Sequence, residues 1–345
     1  MMQVQFIRVA AGLALAACAS AASAAAVLPL RGNDLSSDER YSTKVHKSGI
    51  QAEGKDIGAV RNVSGKKWSG LKAGATDKSV VTNWVVYGKP VYAMAAGKIY
   101  SCWRNAPDNV PGSKLPEYDQ KKISGGGNHL WILQDDGVRT LYAHMQPGSV
   151  PADLCPHNKP LMSGTDPNED AVADGARVKA GQMIGRVGNT GSSDGPHLHV
   201  HMQKDGKPLP MTFARGMTTP RTADGEADPN GPWTRIAGKE LPKASILLWP
   251  PHTIGSYGFD GVKAANYQRL FDHMADSGMM PKLISCASNG ATYDSTWIPA
   301  EGEWRSHHGM SAADAAAKQA LYTGQGFTRT SNFTCGSATV SVWRK

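Results

Sequence analysis

The sequence predicts a mainly β protein, in which an antiparallel β domain with long loops is followed by a small α+β repeat domain. Short apolar and β-branched runs such as "HLWILQ" recur after Trp84 and are joined by turns such as "DDG" and "KDGK", which indicates antiparallel hairpins over residues 84–214. Residues 104–127 and 146–174 are rich in proline, glycine, asparagine and aspartate, which predicts long loops. Two amphipathic segments within residues 252–345 predict the helices of the α+β repeat domain.

Residues 1–24 have the pattern of an export signal: Arg8, then an apolar stretch, then small residues that permit cleavage. The tetrapeptide "LAAC", which ends at Cys18, also resembles a lipobox, so a lipid anchor on Cys18 is the alternative to a soluble mature form. No later stretch approaches the roughly 20 apolar residues of a transmembrane helix. The sequence therefore predicts a periplasmic, extracellular or envelope-anchored protein.

The chain of 345 residues has a formal net charge of +8. A basic exported protein suits an anionic polymer or an envelope surface. Nucleic acid is not expected as a partner, because lysine and arginine are spread along the chain without a basic run interleaved with aromatic residues.

Four cysteines remain outside the signal, and an even count in an exported chain favours two disulfides. Three pairings are possible. We predict Cys102 with Cys155 and Cys286 with Cys335, because each bond then stays within one domain.

The rest of the chain divides by composition. Residues 25–83 show little periodicity and predict an extended arm, and the polar, proline-containing residues 215–251 predict a linker. In the last part, "AANYQRLFDHMADSG" and "SAADAAAKQALYTGQG" predict helices, the second capped by Ser311. Each is followed by a β-rich stretch with one cysteine and one tryptophan, which indicates an imperfect tandem repeat. The tryptophans of this domain either stack on carbohydrate or, as we favour, pack a small core.

The segment "GPHLHVHM" places His197, His199 and His201 at alternate positions. Side chains alternate between the two faces of a strand, so these histidines would share one face, about 6 to 7 Å apart. Such a row can bind a metal, transfer protons or fill a polar strand face.

The blocks "GKPVYAMAAGKIY", "LYAHM", "VKAGQMIGRVGNTG" and "GPHLHVHM" together resemble the lysostaphin-type, or LytM-type, peptidoglycan endopeptidases over residues 84–205. The resemblance implies a small antiparallel sheet with a zinc site that cuts peptide bonds in cell-wall cross-bridges, and hence peptidoglycan as the partner. It implies that His199 binds zinc. It also implies that His144 and His197 orient or deprotonate the attacking water and stabilise the oxyanion.

The sequence departs from the family in one respect. The family has a His-x-x-x-Asp ligand element shortly before the strand that here begins "GKPV", and the corresponding segment "ATDKSVVTNWVVY" has no histidine. Ser79 and Asn83, or Lys78 and Thr82, would take the ligand positions, and neither pair replaces a histidine and a carboxylate on zinc. The candidate substitute ligands are His201, His46 and Asp77.

Two functional hypotheses therefore remain. The first is a zinc endopeptidase that hydrolyses cell-wall peptides. The second is a zinc-free, degenerate module that binds peptidoglycan or regulates another wall hydrolase. The C-terminal domain resembles a bacterial tandem-repeat module of secreted hydrolases through "GQGF" and "VSVWRK".

Overall fold

The structure is a computed structural model that describes residues 25–36, 38–46, 48–229, 231–236, 238–243, 246–249, 256–276 and 278–345. The expected signal peptide and Cys18 lie outside the described residues. Within the described ranges, each helix is too short or too polar to cross a membrane.

Short strands and one short α-helix follow one another in the described part of residues 39–249, with two single 3-10 turns at Gly49–Gln51 and Val81–Asn83. In chain order these elements are β1 (Glu39–Val45), β2 (Lys55–Ser64), β3 (Lys67–Ser69), β4 (Pro90–Tyr92), β5 (Gly97–Trp103), α1 (Pro116–Asp119), β6 (Asn128–Leu133), β7 (Arg139–Met145), β8 (Arg177–Val178), β9 (Met183–Arg186), β10 (Leu198–Lys204), β11 (Lys207–Leu209), β12 (Thr212–Phe213), β13 (Gly216–Pro220), β14 (Thr234–Ile236), β15 (Lys239–Glu240) and β16 (Ile246–Trp249).

Most of these strands form one large sheet in the order β14-β13-β16-β1-β2-β10-β7-β6-β5-β8, with β3 beside β2 and β11 beside β10. The neighbours along this path pair antiparallel. Two small sheets, β4-β9 and β12-β15, accompany it. The prediction of a mainly antiparallel β fold is confirmed.

Strand β10 lies near the middle of the large sheet, with one face on the hydrophobic core and the other face polar. Leu198 and Val200 are fully buried and pack in one hydrophobic cluster with Ile57 and Tyr142 of the neighbouring strands. Because side chains alternate, the odd-numbered histidines of β10 lie on the opposite face. The core therefore fixes which way the histidine row points.

The structure corrects the expected arm and linker. Strands β1 and β2 from residues 25–83 pair with β16 and β10, and β13, β14 and β16 from residues 215–251 extend the same sheet. The physical reason is burial of apolar side chains. Tyr41, Ile57 and Ile246 belong to the same core as Leu198 and Val200 of β10, and pairing with the sheet brings their segments into that core. The β domain therefore extends well beyond the expected residues 84–214.

The C-terminal part contains two copies of one unit. Its elements are β17 (Tyr257–Lys263), α2 (Ala264–Asp276), β18 (Met279–Ala287), β19 (Thr292–Pro299), β20 (Trp304–Met310), α3 (Ala312–Gly324), β21 (Thr328–Cys335) and β22 (Ala338–Arg344). The sheets β17-β19-β18 and β20-β22-β21 have the same strand order, and each unit carries one helix. Ser311 caps α3 as expected, its hydroxyl accepting from the backbone N–H of Asp314 at 3.1 Å.

Both expected disulfides are present. Cys102 bonds to Cys155, and Cys286 of β18 bonds to Cys335 of β21, so the second bond joins equivalent strands of the two repeats. Trp297 and Trp343 are fully buried, which supports core packing rather than carbohydrate stacking for these two side chains.

Candidate active site

The histidine row lies at one edge of an open cleft of about 720 Å³. His197 precedes β10, and His199 follows two residues later; both line the cleft. The rings of His199 and His201 have their centroids 5.1 Å apart, so these two share a face as expected. His201 lies deeper and lines a smaller neighbouring cavity instead.

Asp56 lies directly across from His199. The two residues are register partners on β2 and β10, and Asp56 Oδ1 is 2.8 Å from His199 Nδ1. The same oxygen is 3.5 Å from His197 Nε2. A strand that the sequence assigned to an arm thus brings a carboxylate to the histidine row.

His46 completes this group from the end of β1. Its Nε2 lies 2.9 Å from Asp56 Oδ1, and its ring is 4.7 Å from that of His199. The hairpin between β1 and β2 holds His46 in place, since its backbone N–H donates to the carbonyl of Gly54 at 3.0 Å. A side chain at Gly54 would meet the Gln51 carbonyl at 2.7 Å, so this turn requires glycine.

The donor set of His46, Asp56 and His199 fits zinc. Each residue offers one ligand atom, and the three atoms lie within 4.8 Å of one another. Two imidazole nitrogens and one carboxylate oxygen form a His₂-carboxylate set, which leaves a fourth position open in catalytic zinc sites. His46 and Asp56 would take the place of the upstream ligand pair that the sequence lacks at the family's spacing, with nine residues between them instead of three.

Asp77 lies outside this group. Its carboxylate accepts from the backbone and the hydroxyl of Ser79, at 2.8 and 2.6 Å, and is exposed. Asn83 donates to the Asp77 carbonyl at 2.9 Å, and the Trp84 indole donates to the Lys78 carbonyl at 3.0 Å. The segment expected to contain the ligand element instead orders a turn that presents Trp84 to the cleft.

His144 lies near the end of β7 and faces His197, with ring centroids 4.7 Å apart. Its Nδ1 is 2.8 Å from the carbonyl of Thr190; since a carbonyl only accepts, Nδ1 carries the proton and Nε2 is a bare acceptor in the neutral ring. The backbone of His144 has φ of 63°, an uncommon conformation for a residue with a side chain. Such strain is typical of functional positions.

His197 is oriented by a short local contact. Its Nδ1 donates to the Gly195 carbonyl at 2.8 Å, which leaves Nε2 facing the cleft and Asp56. The expected trio of His144, His197 and His199 is thus brought together, with 6.0 Å between the rings of His144 and His199.

The pKa values of the two cleft histidines His144 and His197 shift in opposite directions. Burial and the charges of His197 and His199 hold the pKa of His144 well below its usual value. Burial alone would lower the pKa of His197, but its hydrogen bond to Asp56 and the charge of that carboxylate raise it. Burial would raise the pKa of Asp56, yet contacts with His197 and His199 hold it far below its usual range. At a pH at which His197 is protonated, His144 is therefore still neutral.

His201 is not one of the three converging ligands. Its Nδ1 lies 2.8 Å from Nε2 of His199, on the side of that ring away from Asp56. Burial, with the charges of His199 and His46, lowers its pKa to about 4.

Asp56 is the candidate site residue that was not predicted from the sequence. A signal for it was present in the alternation "ERYSTKV" followed by a glycine-containing turn and "KDIGAV", which is a hairpin pattern. Pairing those runs places His46 and Asp56 on one edge of a hairpin.

Comparisons with known proteins find similarity to peptidases in one part of the chain and to a structural repeat in another. Residues 157–211 match the family model described as Peptidase family M23, and residues 261–299 and 301–331 match a model described as Polyglycine hydrolase-like, structural repeat. The chain is 33% identical over 124 residues to the DD-carboxypeptidase/endopeptidase Mpg of Neisseria meningitidis, covering 36% of this chain and 23% of that protein. It is 32% identical over 114 residues to the glycyl-glycine endopeptidase ALE-1 of Staphylococcus capitis, covering 32% of this chain and 20% of that protein.

Among solved structures, the catalytic domain of lysostaphin from Staphylococcus simulans is similar, with 22% identity and a TM-score of 0.24, over 55% of this chain and 87% of that one. The chain thus spans about a quarter or less of the length of the curated relatives named above. Within this chain the match to Peptidase family M23 covers residues 157–211, and the chain is similar to the lysostaphin-type (LytM-type) peptidases.

Proposed function

We propose that this protein is an exported zinc metalloendopeptidase that hydrolyses peptide cross-links of peptidoglycan. The observation that carries the proposal is the convergence of His46, Asp56 and His199 beside His144 and His197 in one open cleft. The names of the relatives, a DD-carboxypeptidase/endopeptidase and a glycyl-glycine endopeptidase, support peptide bonds as the target.

His46, Asp56 and His199 would hold the metal. Zinc, when bound, supplies a Lewis acid that polarises the substrate carbonyl and lowers the pKa of water. Asp56 suits this role because its pKa is held low, so it remains a carboxylate.

His144 and His197 have different roles in the hydrolysis. The neutral His144 has its Nε2 bare and can accept the proton of the attacking water. His197, whose pKa is raised, can donate a hydrogen bond from Nε2 to the substrate oxygen, which gains negative charge as water adds to the carbonyl carbon. The proton that His144 took from the water passes to the amide nitrogen as the C–N bond breaks, so the second peptide leaves as an amine.

The side chains that line the cleft are partly basic, which suits a peptide of the bacterial cell wall. Trp84 and Tyr118 provide apolar surface, and the cations Lys44, Lys114 and Arg221 line the same space. Asp194 offsets only one of these charges, at 3.8 Å from Lys114. An anionic polymer such as peptidoglycan would be attracted to this surface.

Export is proposed from the leader pattern of residues 1–24, and two disulfides support an oxidising compartment. Lipidation at Cys18 is the alternative form. Palmitate labelling that is lost in Cys18→Ala would decide for the anchored protein, and unlabelled wild type would decide for the soluble one.

The hypothesis of a zinc-free binding module rested on the absence of an upstream ligand pair, and the convergence of His46 and Asp56 with His199 favours the enzyme over it. The deciding experiment measures the zinc content of the purified protein and its release of peptides from labelled sacculi, with His199→Ala as the control. About one equivalent of zinc and cleavage that His199→Ala abolishes are expected. Binding to sacculi without zinc or cleavage would favour the binding module instead.

A further inference from the structure

His201 is a buried histidine of β10 that the proposed reaction does not use. It is 2% exposed, and its Nδ1 lies 2.8 Å from Nε2 of His199. The other nitrogen of His199, Nδ1, faces Asp56 at 2.8 Å. The ring of His199 therefore stands between His201 and the converging ligand atoms.

The chemistry of imidazole gives this contact a direction. A neutral imidazole has one nitrogen that carries a proton and one that does not. For Nδ1 of His199 to bind a metal it must be bare, so Nε2 must carry the proton. Nδ1 of His201 is placed to accept that proton in a hydrogen bond.

The surroundings of His201 keep its ring in this position. Trp131 contacts the ring edge-on with centroids 5.1 Å apart, and Leu141 is its register partner on β7. On the other side, the tight turn at Gly54 comes so close that a Cβ there would lie 3.2 Å from the Cβ of His201. The acceptor is thus fixed by packing before any ligand arrives.

We propose that His201 is a positioning residue for the candidate metal centre: it accepts from Nε2 of His199 and thereby selects the tautomer and the ring orientation that direct Nδ1 of His199 to zinc. This inference rests on the proposed zinc site and adds a residue that holds one ligand without touching the metal. Partners of this kind commonly set metal affinity by about 10- to 100-fold.

The test compares two replacements in the full-length mature protein. His201→Phe keeps an aromatic ring of similar size but has no acceptor, whereas His201→Asn puts a carbonyl oxygen close to the place of Nδ1. After removal of metal, the zinc dissociation constant is measured by competition with a chelator. We expect about 10- to 100-fold weaker binding in His201→Phe and binding within about threefold of wild type in His201→Asn.

The outcomes separate the two proposals. If wild type binds no zinc, the proposed function fails and this inference fails with it. If wild type binds zinc and His201→Phe binds it equally well, only the positioning role is overturned. Equal weakening in both variants also overturns it, because the acceptor would then not be the cause.

A measurement on the wild-type protein keeps the inference testable should His201→Phe fail to fold. Nitrogen-15 NMR of the histidine rings in the zinc-loaded protein reports which nitrogen carries each proton. We expect a proton on Nε2 of His199 and a bare Nδ1 on His201. A proton on Nδ1 of His201 would reverse the hydrogen bond and overturn the proposal.

Discussion

Asp56 and His199 face each other across neighbouring antiparallel strands, and their Oδ1 and Nδ1 atoms lie 2.8 Å apart. The register that makes them partners also pairs Leu198 with Ile57, both fully buried. A shift of one residue would turn each side chain to the opposite face, so the hydrophobic core and the candidate metal site depend on the same register.

Replacing Asp56 should remove the metal while leaving the fold intact. Its side chain is about a quarter exposed and lies on the polar face of the sheet, so Asp56→Ala removes a ligand without opening a cavity in the core. We expect zinc affinity to fall more than the about 100-fold upper range for the loss of a supporting partner. Chelator competition and peptide release from sacculi measure both effects.

Asp77→Ala is the matched control for that change, because Asp77 was the carboxylate favoured as a substitute ligand and bonds only to Ser79 through its side chain among the described contacts. We expect zinc binding and cleavage close to wild type. Loss of zinc in Asp77→Ala but not in Asp56→Ala would contradict the metal site described above.

His144→Ala and His197→Ala should reduce turnover without removing zinc. Neither residue belongs to the three-ligand group, and general acid or base catalysis contributes about 10²- to 10⁴-fold. Turnover number and zinc content are measured on the same preparations. Loss of zinc from either variant would instead make that histidine a ligand.

Much of the site was predictable because it is local in sequence. The alternation in "GPHLHVHM" places His199 and His201 on one face from strand geometry alone, and the family resemblance adds His144. The hairpin of β1 and β2 has a local signal, but its pairing with β10 has none, because Asp56 lies 143 residues from His199 and meets it only through strand pairing. Asp77 was a candidate only because it lies upstream of the histidine row, and its backbone and carboxylate instead stabilise a local turn.

The limits of the fold prediction have the same cause. Helices α2 and α3 were predicted because their apolar spacing and the Ser311 cap are local signals. Strands β13, β14 and β16 contain few residues each and show little pattern of their own, and they are ordered by pairing with one another and with β1. Composition alone therefore suggested a linker.

Binding to sacculi should depend on the cations of the cleft. Lys44 and Arg221 line it, so Lys44→Glu and Arg221→Glu should each weaken binding at low salt, with the difference shrinking as salt rises. Pull-down across a salt series measures this. Lys282→Glu makes the same charge change on an exposed position of β18, outside the cleft. Equal weakening in Lys282→Glu would mean that net charge, not the cleft, governs binding.

The bond between Cys286 and Cys335 should stabilise the repeat domain. It closes a sequence separation of 49 residues and joins the two repeats, and removal of a native disulfide typically costs about 2 to 5 kcal/mol. The double variant Cys286→Ser with Cys335→Ser is therefore expected to unfold at a lower denaturant concentration. Adding reductant to this variant shows what Cys102–Cys155 contributes separately. An unchanged unfolding midpoint would contradict the prediction.

His273 should make the protein less stable in acid. It is 3% exposed on α2, and burial, with the charges of Arg235 and Arg215, lowers its pKa from 6.5 to about 3. Between these values the unfolded chain takes up a proton at this residue and the folded chain does not. The free energy of unfolding should therefore fall by about 1.4 kcal/mol for each pH unit below the unfolded pKa, until the pH approaches the folded one. Denaturant titrations of wild type and His273→Leu from pH 7 to pH 4 isolate this contribution, because the difference in slope is independent of any constant loss of packing. The variant should show the shallower decline, and equal slopes would refute the assignment to His273.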